Sequence, residues 1–219
     1  MKAAETSHHF FKSLDGTELH YLRVMPEKKR GVLLLIHGLA EHSGRYRFFC
    51  DYFAKQGWAI YLLDQRGHGH SPGLRGHVDR LEDLVDDLAE FVNHVASQER
   101  EQALFLVAHS FGGQIAVNYL ARKTKVLCGA VLSSPNLRLA MKISLLKRLF
   151  AHALVRCLPT LQLPNDVDAG LLSHDPQIAR DYLEDPLVGH KITLKMGTEI
   201  LNNLKDVMSL APQIKTPCF

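Results

Sequence analysis

The chain has 219 residues, 46% of them hydrophobic and 22% charged, with a formal charge of +3. That length suffices for one sizeable core, the composition is that of a globular protein, and so mild a positive charge argues against nucleic acid as a partner. Cys50, Cys128, Cys157 and Cys218 are scattered with no C-x-x-C pair, which excludes a disulfide framework or a zinc site of ordinary spacing and fits a reducing compartment.

In chain order, Phe10 to Val24 reads as a hairpin around the Asp15-Gly16 turn. The opening residues lack the long apolar core of a signal peptide, and no apolar run reaches membrane-spanning length, so the expected location is cytoplasmic. Gly31 to Ile36 (GVLLLI) suits a strand buried on both faces. Tyr46 to Lys55 reads as a helix closed by Gly57, and Trp58 to Leu63 as the next buried strand. Asp64 to His77 is a glycine-rich loop. Leu81 to Val95 is amphipathic, and Asp79 with Glu82 resembles a capping box at its start.

Leu104 to Val107 is a short apolar run that reads as a fully buried strand. Ala108-His109-Ser110-Phe111-Gly112-Gly113 follows, and Gln114 to Arg122 has helical spacing. Strand, tight turn with a serine, and helix make a nucleophile elbow. Ala108 stands where the usual G-x-S-x-G pattern has glycine, and small residues flank the serine where two backbones crowd. A serine at such a place can also be no more than a helix cap. Leu127 to Leu132 reads as a further strand, ending at Ser133-Ser134-Pro135.

Alternating strands and helices predict an α/β fold with a mostly parallel sheet, helices on both faces, and a site beyond the carboxyl ends of the strands. Residues 1–136 form the expected core. Residues 137–206 are expected to be a helical cap or lid: Arg138 to Leu163 reads as helical and basic (Arg138, Lys142, Lys147, Arg148, Arg156), and Leu171 to Leu204 as short helices with Asp-Pro turns. A helical subdomain with no gating role is the alternative. Residues 207–219 return to the core, and Ile214 to Phe219 reads as the start of another buried strand.

The motifs HGLAEHSGRY (His37 to Tyr46), DQRGHGHSPGLRGHV (Asp64 to Val78) and AHSFGG (Ala108 to Gly113) occur in that order. Together with Ser133-Ser134-Pro135, Leu171-Leu172-Ser173 and Asp185-Pro186-Leu187, they resemble the monoglyceride lipase and lysophospholipase branch of the α/β-hydrolases over nearly the whole chain. The resemblance implies a serine esterase acting on a single-chain lipid ester, with no cofactor and no metal. It implies Ser110 as nucleophile, the backbone N–H groups of Leu39 and Phe111 as oxyanion hole, and Gly38 and His109 lining the same pocket. A basic cap would favour anionic headgroups, hence peripheral membrane contact. Carboxylesterase or peptidase activity on the same fold stays open.

In this fold the acid and the histidine of the triad follow the cap. Neither is expected within this chain, which reads as ending before them, with the last strands and helix missing. His37, His68, His70, His77 and His109 are the histidines near the expected site, but none is expected to serve as base. Asp166, Asp168, Asp175, Asp181 and Asp185 read as turn and capping groups. The competing reading is a pseudoenzyme or lipid-binding module with a serine but no relay.

Overall fold

The computed structural model describes residues 5–122, 126–138, 151–165 and 167–219. The chain opens with an antiparallel hairpin, β1 (Glu5–Lys12) and β2 (Glu18–Met25), turned at Gly16 with φ +83°. Then come β3 (Gly31–Ile36), α1 (Arg47–Lys55), β4 (Trp58–Leu63), α2 (Leu81–Gln98), β5 (Leu104–His109), α3 (Phe111–Arg122) and β6 (Gly129–Ser133). The strands form one sheet in the order β1-β2-β4-β3-β5-β6. β4, β3, β5 and β6 run parallel, and the hairpin adds two antiparallel strands at one edge.

Why the sheet forms is legible in its burial. β3 is buried at every position, because α2 and α3 cover one face and α1 the other. β5 departs from the expected full burial. Leu104, Leu106 and Ala108 are buried, but Phe105, Val107 and His109 are only half-buried. The second face of the sheet is covered by α1, which packs against β3 and β4, so β5 and β6 lie at its margin. Val131 on β6 is 40% exposed.

The capping box expected from Asp79 and Glu82 does not form. Arg80 is the N-cap of α2 and makes no side-chain cap bond; the Leu81 N–H instead donates to Glu199 Oε2 at 3.1 Å, a cap supplied from another element.

Beyond β6, much of the expected basic cap, residues 139–150 with Lys142, Lys147 and Arg148, lies outside the described residues, as does Asp166. Residues 151–154 are helical. Two strands replace the helix-only expectation here: β7 (Gln162–Pro164) pairs antiparallel with β8 (Lys191–Thr193). Asp175-Pro176, read as a turn, starts a helix. Asp175 accepts from Gln177 N–H and Pro176 sits in the first turn of α4 (Pro176–Glu184), where its missing N–H costs nothing. Asp168 likewise caps a 3-10 turn through Gly170 N–H.

α5 (Leu194–Asn203) packs into the main core through Met196 and Ile200 and is hydrogen-bonded to α3 by Gln114, Asn118 and Asn203. Met196 and Ile200 thus belong to the same core cluster as the sheet. Residues 217–219 do meet β6 in parallel register, with Ala130 N–H bonded to Pro217 O and Phe219 N–H to Ala130 O, each at 2.9 Å. They are exposed where burial was expected, Phe219 by 95%.

Candidate active site

The loops after β3, β4 and β5 meet at the carboxyl ends of the parallel strands. β5 runs into α3 through a single residue, Ser110, held at φ +50°. Left-handed backbone at a non-glycine residue is costly and survives where surroundings fix it. Here Ser110 N–H donates to Ser133 O at 3.0 Å, and Ser110 O accepts from Gly113 and Asn136 N–H. The crowding argument holds at Gly112: a Cβ there would stand 2.4 Å from His37 O and 2.7 Å from Ile36 O. A Cβ on Gly113 would meet Pro135 at 2.6 Å. Ala108, by contrast, is fully buried and its methyl is accommodated, so this elbow forms without the first glycine.

The loop after β3 faces the elbow. A Cβ on Gly38 would lie 3.2 Å from Ser110 Cβ and 3.5 Å from His109 Cδ2, so glycine lets the two loops approach. Gly38 N–H is spoken for: it donates to Glu41 Oε1 at 2.6 Å, and Tyr46 Oη donates to the same oxygen at 2.8 Å. Leu39 makes no hydrogen bond among the described residues. Phe111 opens α3, and its N–H precedes any intrahelical acceptor. The N–H groups of Leu39 and Phe111, the pair expected as an oxyanion hole, thus have no acceptor among the described residues, and that of Phe111 stands at the positive end of a helix.

These residues line one cavity of about 370 Å³. Gly38, Leu39, His109, Ser110 and Phe111 form one wall, and Val167, Leu172 and Ile178 give it an apolar side. Glu41, Arg45, Asn136 and Tyr182 bring polar groups; the Arg45 guanidinium lies 4.8 Å from the Tyr182 ring centroid. The sequence reading missed this second set. Glu41 and Arg45 stood in the HGLAEHSGRY motif, and Ile178 and Tyr182 at i, i+4 share a helix face, which was a usable signal.

The histidines separate clearly. His109 lines the pocket, and its Nδ1 is 3.1 Å from Ser133 O, which fixes the ring. His37 is buried and held below its ordinary pKa by that burial; its Nδ1 donates to Gly38 O at 2.7 Å and its Nε2 accepts from Gln65 N–H at 3.1 Å. His68 is buried beside it, pushed down to about 4 by burial. His70 packs on His8 and His20, and His77 bonds Thr193. None of His68, His70 and His77 lines the Ser110 cavity. Asp185 bonds His42 at 2.8 Å and Asp181 bonds Gln177. Among the described residues, no imidazole or carboxylate hydrogen-bonds the Ser110 hydroxyl.

The glycine-rich loop is a support. Asp64 accepts from Ser43 N–H (2.7 Å), His70 N–H (2.9 Å) and His20 Nδ1 (2.8 Å). Burial alone would raise its pKa, but these donors hold it well below the usual carboxylate range. Gly69, at φ +49°, passes so close that a Cβ would strike the Asp64 carboxylate at 2.3 Å.

A mostly parallel sheet extended by an antiparallel hairpin, with a serine in a strained turn between β5 and α3, defines an α/β-hydrolase. The family model described as "Serine aminopeptidase, S33" matches residues 27–219, and the chain belongs to that family, in its monoglyceride lipase branch. It is 34% identical over 191 residues to a monoacylglycerol lipase of Mycolicibacterium smegmatis, covering 87% of this chain and 68% of that protein. It is 31% identical to the rat monoglyceride lipase, covering 86% of this chain and 62% of that protein. An uncharacterized abhydrolase domain-containing protein of Dictyostelium discoideum is 36% identical, and the chain spans only 20% of it. The crystal structure of the Paleococcus ferrophilus monoacylglycerol lipase superposes with a TM-score of 0.80 at 33% identity, covering 92% of this chain and 76% of that one. The chain thus spans about two thirds of the lipases it matches and a fifth of the Dictyostelium protein. Among the described residues, no helix is long and apolar enough to cross a membrane.

Proposed function

We propose that this chain carries the nucleophile and oxyanion hole of a serine hydrolase that cleaves the carboxylic ester of a single-chain lipid, a monoacylglycerol before a lysophospholipid. The observation that carries this reading is Ser110 at φ +50° between β5 and α3, at the wall of a cavity with free N–H donors at Leu39 and Phe111. In the proposed reaction the Ser110 oxygen attacks the ester carbonyl and its proton passes to a base. The carbonyl oxygen gains charge and is held by the two N–H groups. The tetrahedral intermediate collapses to an acyl-serine as the alcohol leaves with a proton, and water repeats the sequence to release the acid. The apolar side at Val167, Leu172 and Ile178 suits an acyl chain, and Glu41, Arg45 and Asn136 suit a hydroxyl-bearing alcohol.

The absence of a base on Ser110 among the described residues favours a second reading, a lipid-binding module that holds the ester without cleaving it. Fatty-acid release from a panel of monoacylglycerols, lysophospholipids and peptide amides, by the chain and by Ser110→Ala, separates the two. The hydrolase reading expects Ser110-dependent release, fastest from monoacylglycerols. Saturable monoacylglycerol binding with no Ser110-dependent release assigns the module instead.

A further inference from the structure

A second cavity, of about 210 Å³, shares none of its lining with the Ser110 pocket. Ala40 from the loop after β3, Gly67, His68 and Arg75 from the loop after β4, and Val188 and Lys191 from the segment entering β8 enclose it. Its frame is fixed. Gly67 N–H bonds Pro72 O at 2.8 Å, Thr193 N–H bonds Gly76 O at 2.9 Å, and Gly189 N–H bonds Ala40 O at 2.8 Å. Two cations face it, Arg75 from the core and Lys191 from the strand pair over it, and neither has an ion-pair partner among the described residues. His68 is only 4% exposed. Its Nδ1 lies 3.0 Å from Arg66 O, which can only accept, so the proton is on Nδ1 and Nε2 is an acceptor. That Nε2 is buried with no hydrogen-bond partner.

We propose that this cavity binds a small phosphate ester that also carries a free hydroxyl, of the glycerol phosphate kind. Two unpaired cations, one a planar fork and one a point charge, match the several oxygens of a phosphate. The unpartnered Nε2 of His68 leaves a lone pair for a hydroxyl donor, which a glycerol group supplies. Bound there, the ligand bridges Arg75 of the core loop and Lys191 of β8, and stabilises the folded chain by mass action. The ligand chemistry has two sources, a free glycerol phosphate or the headgroup of a glycerophospholipid.

Thermal unfolding with sn-glycerol 3-phosphate tests the first source, with glycerol and sodium chloride at matched ionic strength as controls. Sedimentation with phosphatidylglycerol against phosphatidylcholine vesicles tests the second. The Arg75→Gln/Lys191→Gln variant, whose changes are at exposed positions, is compared in both, and each single variant stands in should the double one fail to fold. The proposal expects a saturable rise in Tm with glycerol 3-phosphate, or selective sedimentation with phosphatidylglycerol. In either arm the double variant binds at least about tenfold more weakly. Ser110→Ala responds as the parent does, so the outcome is independent of the hydrolase reading. A response no larger than that to salt in both arms overturns the proposal, as does one unchanged by the double variant.

Discussion

At the scale of single residues, the site is made by where side chains cannot be. Gly112 has His37 O and Ile36 O within 2.7 Å of any Cβ, and both are backbone atoms that cannot swing aside. Gly112→Ala is therefore expected to cost about 1–3 kcal/mol, the range for overpacking, and to abolish labelling of Ser110; urea unfolding reads the first and a serine-reactive probe the second. The same logic explains why Ala108 is tolerated, since its methyl is buried without conflict. A fixed backbone also leaves rings in place. Burial pushes the His68 imidazole down to about 4, against an ordinary 6.5, and lowers His37 as well. Unfolding returns both rings to water, where they take up protons that the folded chain refuses. Stability from keeping them neutral is therefore complete above about pH 6.5 and is lost as the pH falls toward 4. The urea midpoint should drop steeply across that window, and His68→Gln should flatten the slope; a slope unchanged by the substitution would show that other groups drive it.

At the scale of elements, helices and strands with a strong period were legible, and those set by partners distant in sequence were not. GVLLLI and WAIYLL announce buried strands because both faces are covered. β5 reads the same way in sequence but lies at the margin of the helical cover, which no local pattern records. β7 and β8 have three residues each, too few to show an alternation, and exist because they pair with each other. The N-terminus of α2 is the sharpest case: its local acids suggested a capping box, yet the acceptor is Glu199, 118 residues away in sequence. Glu199→Ala should cost about 1 kcal/mol, the usual worth of an N-cap, while Asp79→Ala at an exposed position should cost less than half of that. Equal losses in chemical denaturation would return the cap to Asp79. The loop after β3 and the elbow were legible for a different reason. Each packs its chemistry into a short motif, whereas Val167, Leu172 and Ile178 reach the pocket from the far side of the chain.

At the scale of the whole molecule, one face of the sheet is fully dressed and the other only in part. α2, α3 and α5 seal the larger core, while α1 covers β3 and β4 on the opposite side. Val131 is 40% exposed beside the half-buried Phe105 and Val107, and the last residues pair with β6 while remaining in water. An exposed apolar sheet margin favours self-association. Light scattering should rise with concentration, and Val131→Lys should reduce it; scattering indifferent to that change would mean the margin is not the contact. The sequence reads residues 214–219 as a buried strand and gives no sign of the open face of β5 and β6 beside it. Membership of the family follows from the whole length of the match, from residue 27 to 219, and the elbow alone would not have carried it.

Ser110 is proposed as a nucleophile beside preset N–H donors. The direct measurement is intact mass of the chain after treatment with a fluorophosphonate, beside Ser110→Ala. Preset oxyanion donors keep about 10³–10⁴-fold of catalysis over water even without a relay. A single adduct is therefore expected, one that forms slowly and is absent from Ser110→Ala. A cooperatively folded chain with no adduct, or with an adduct that persists in Ser110→Ala, would contradict it.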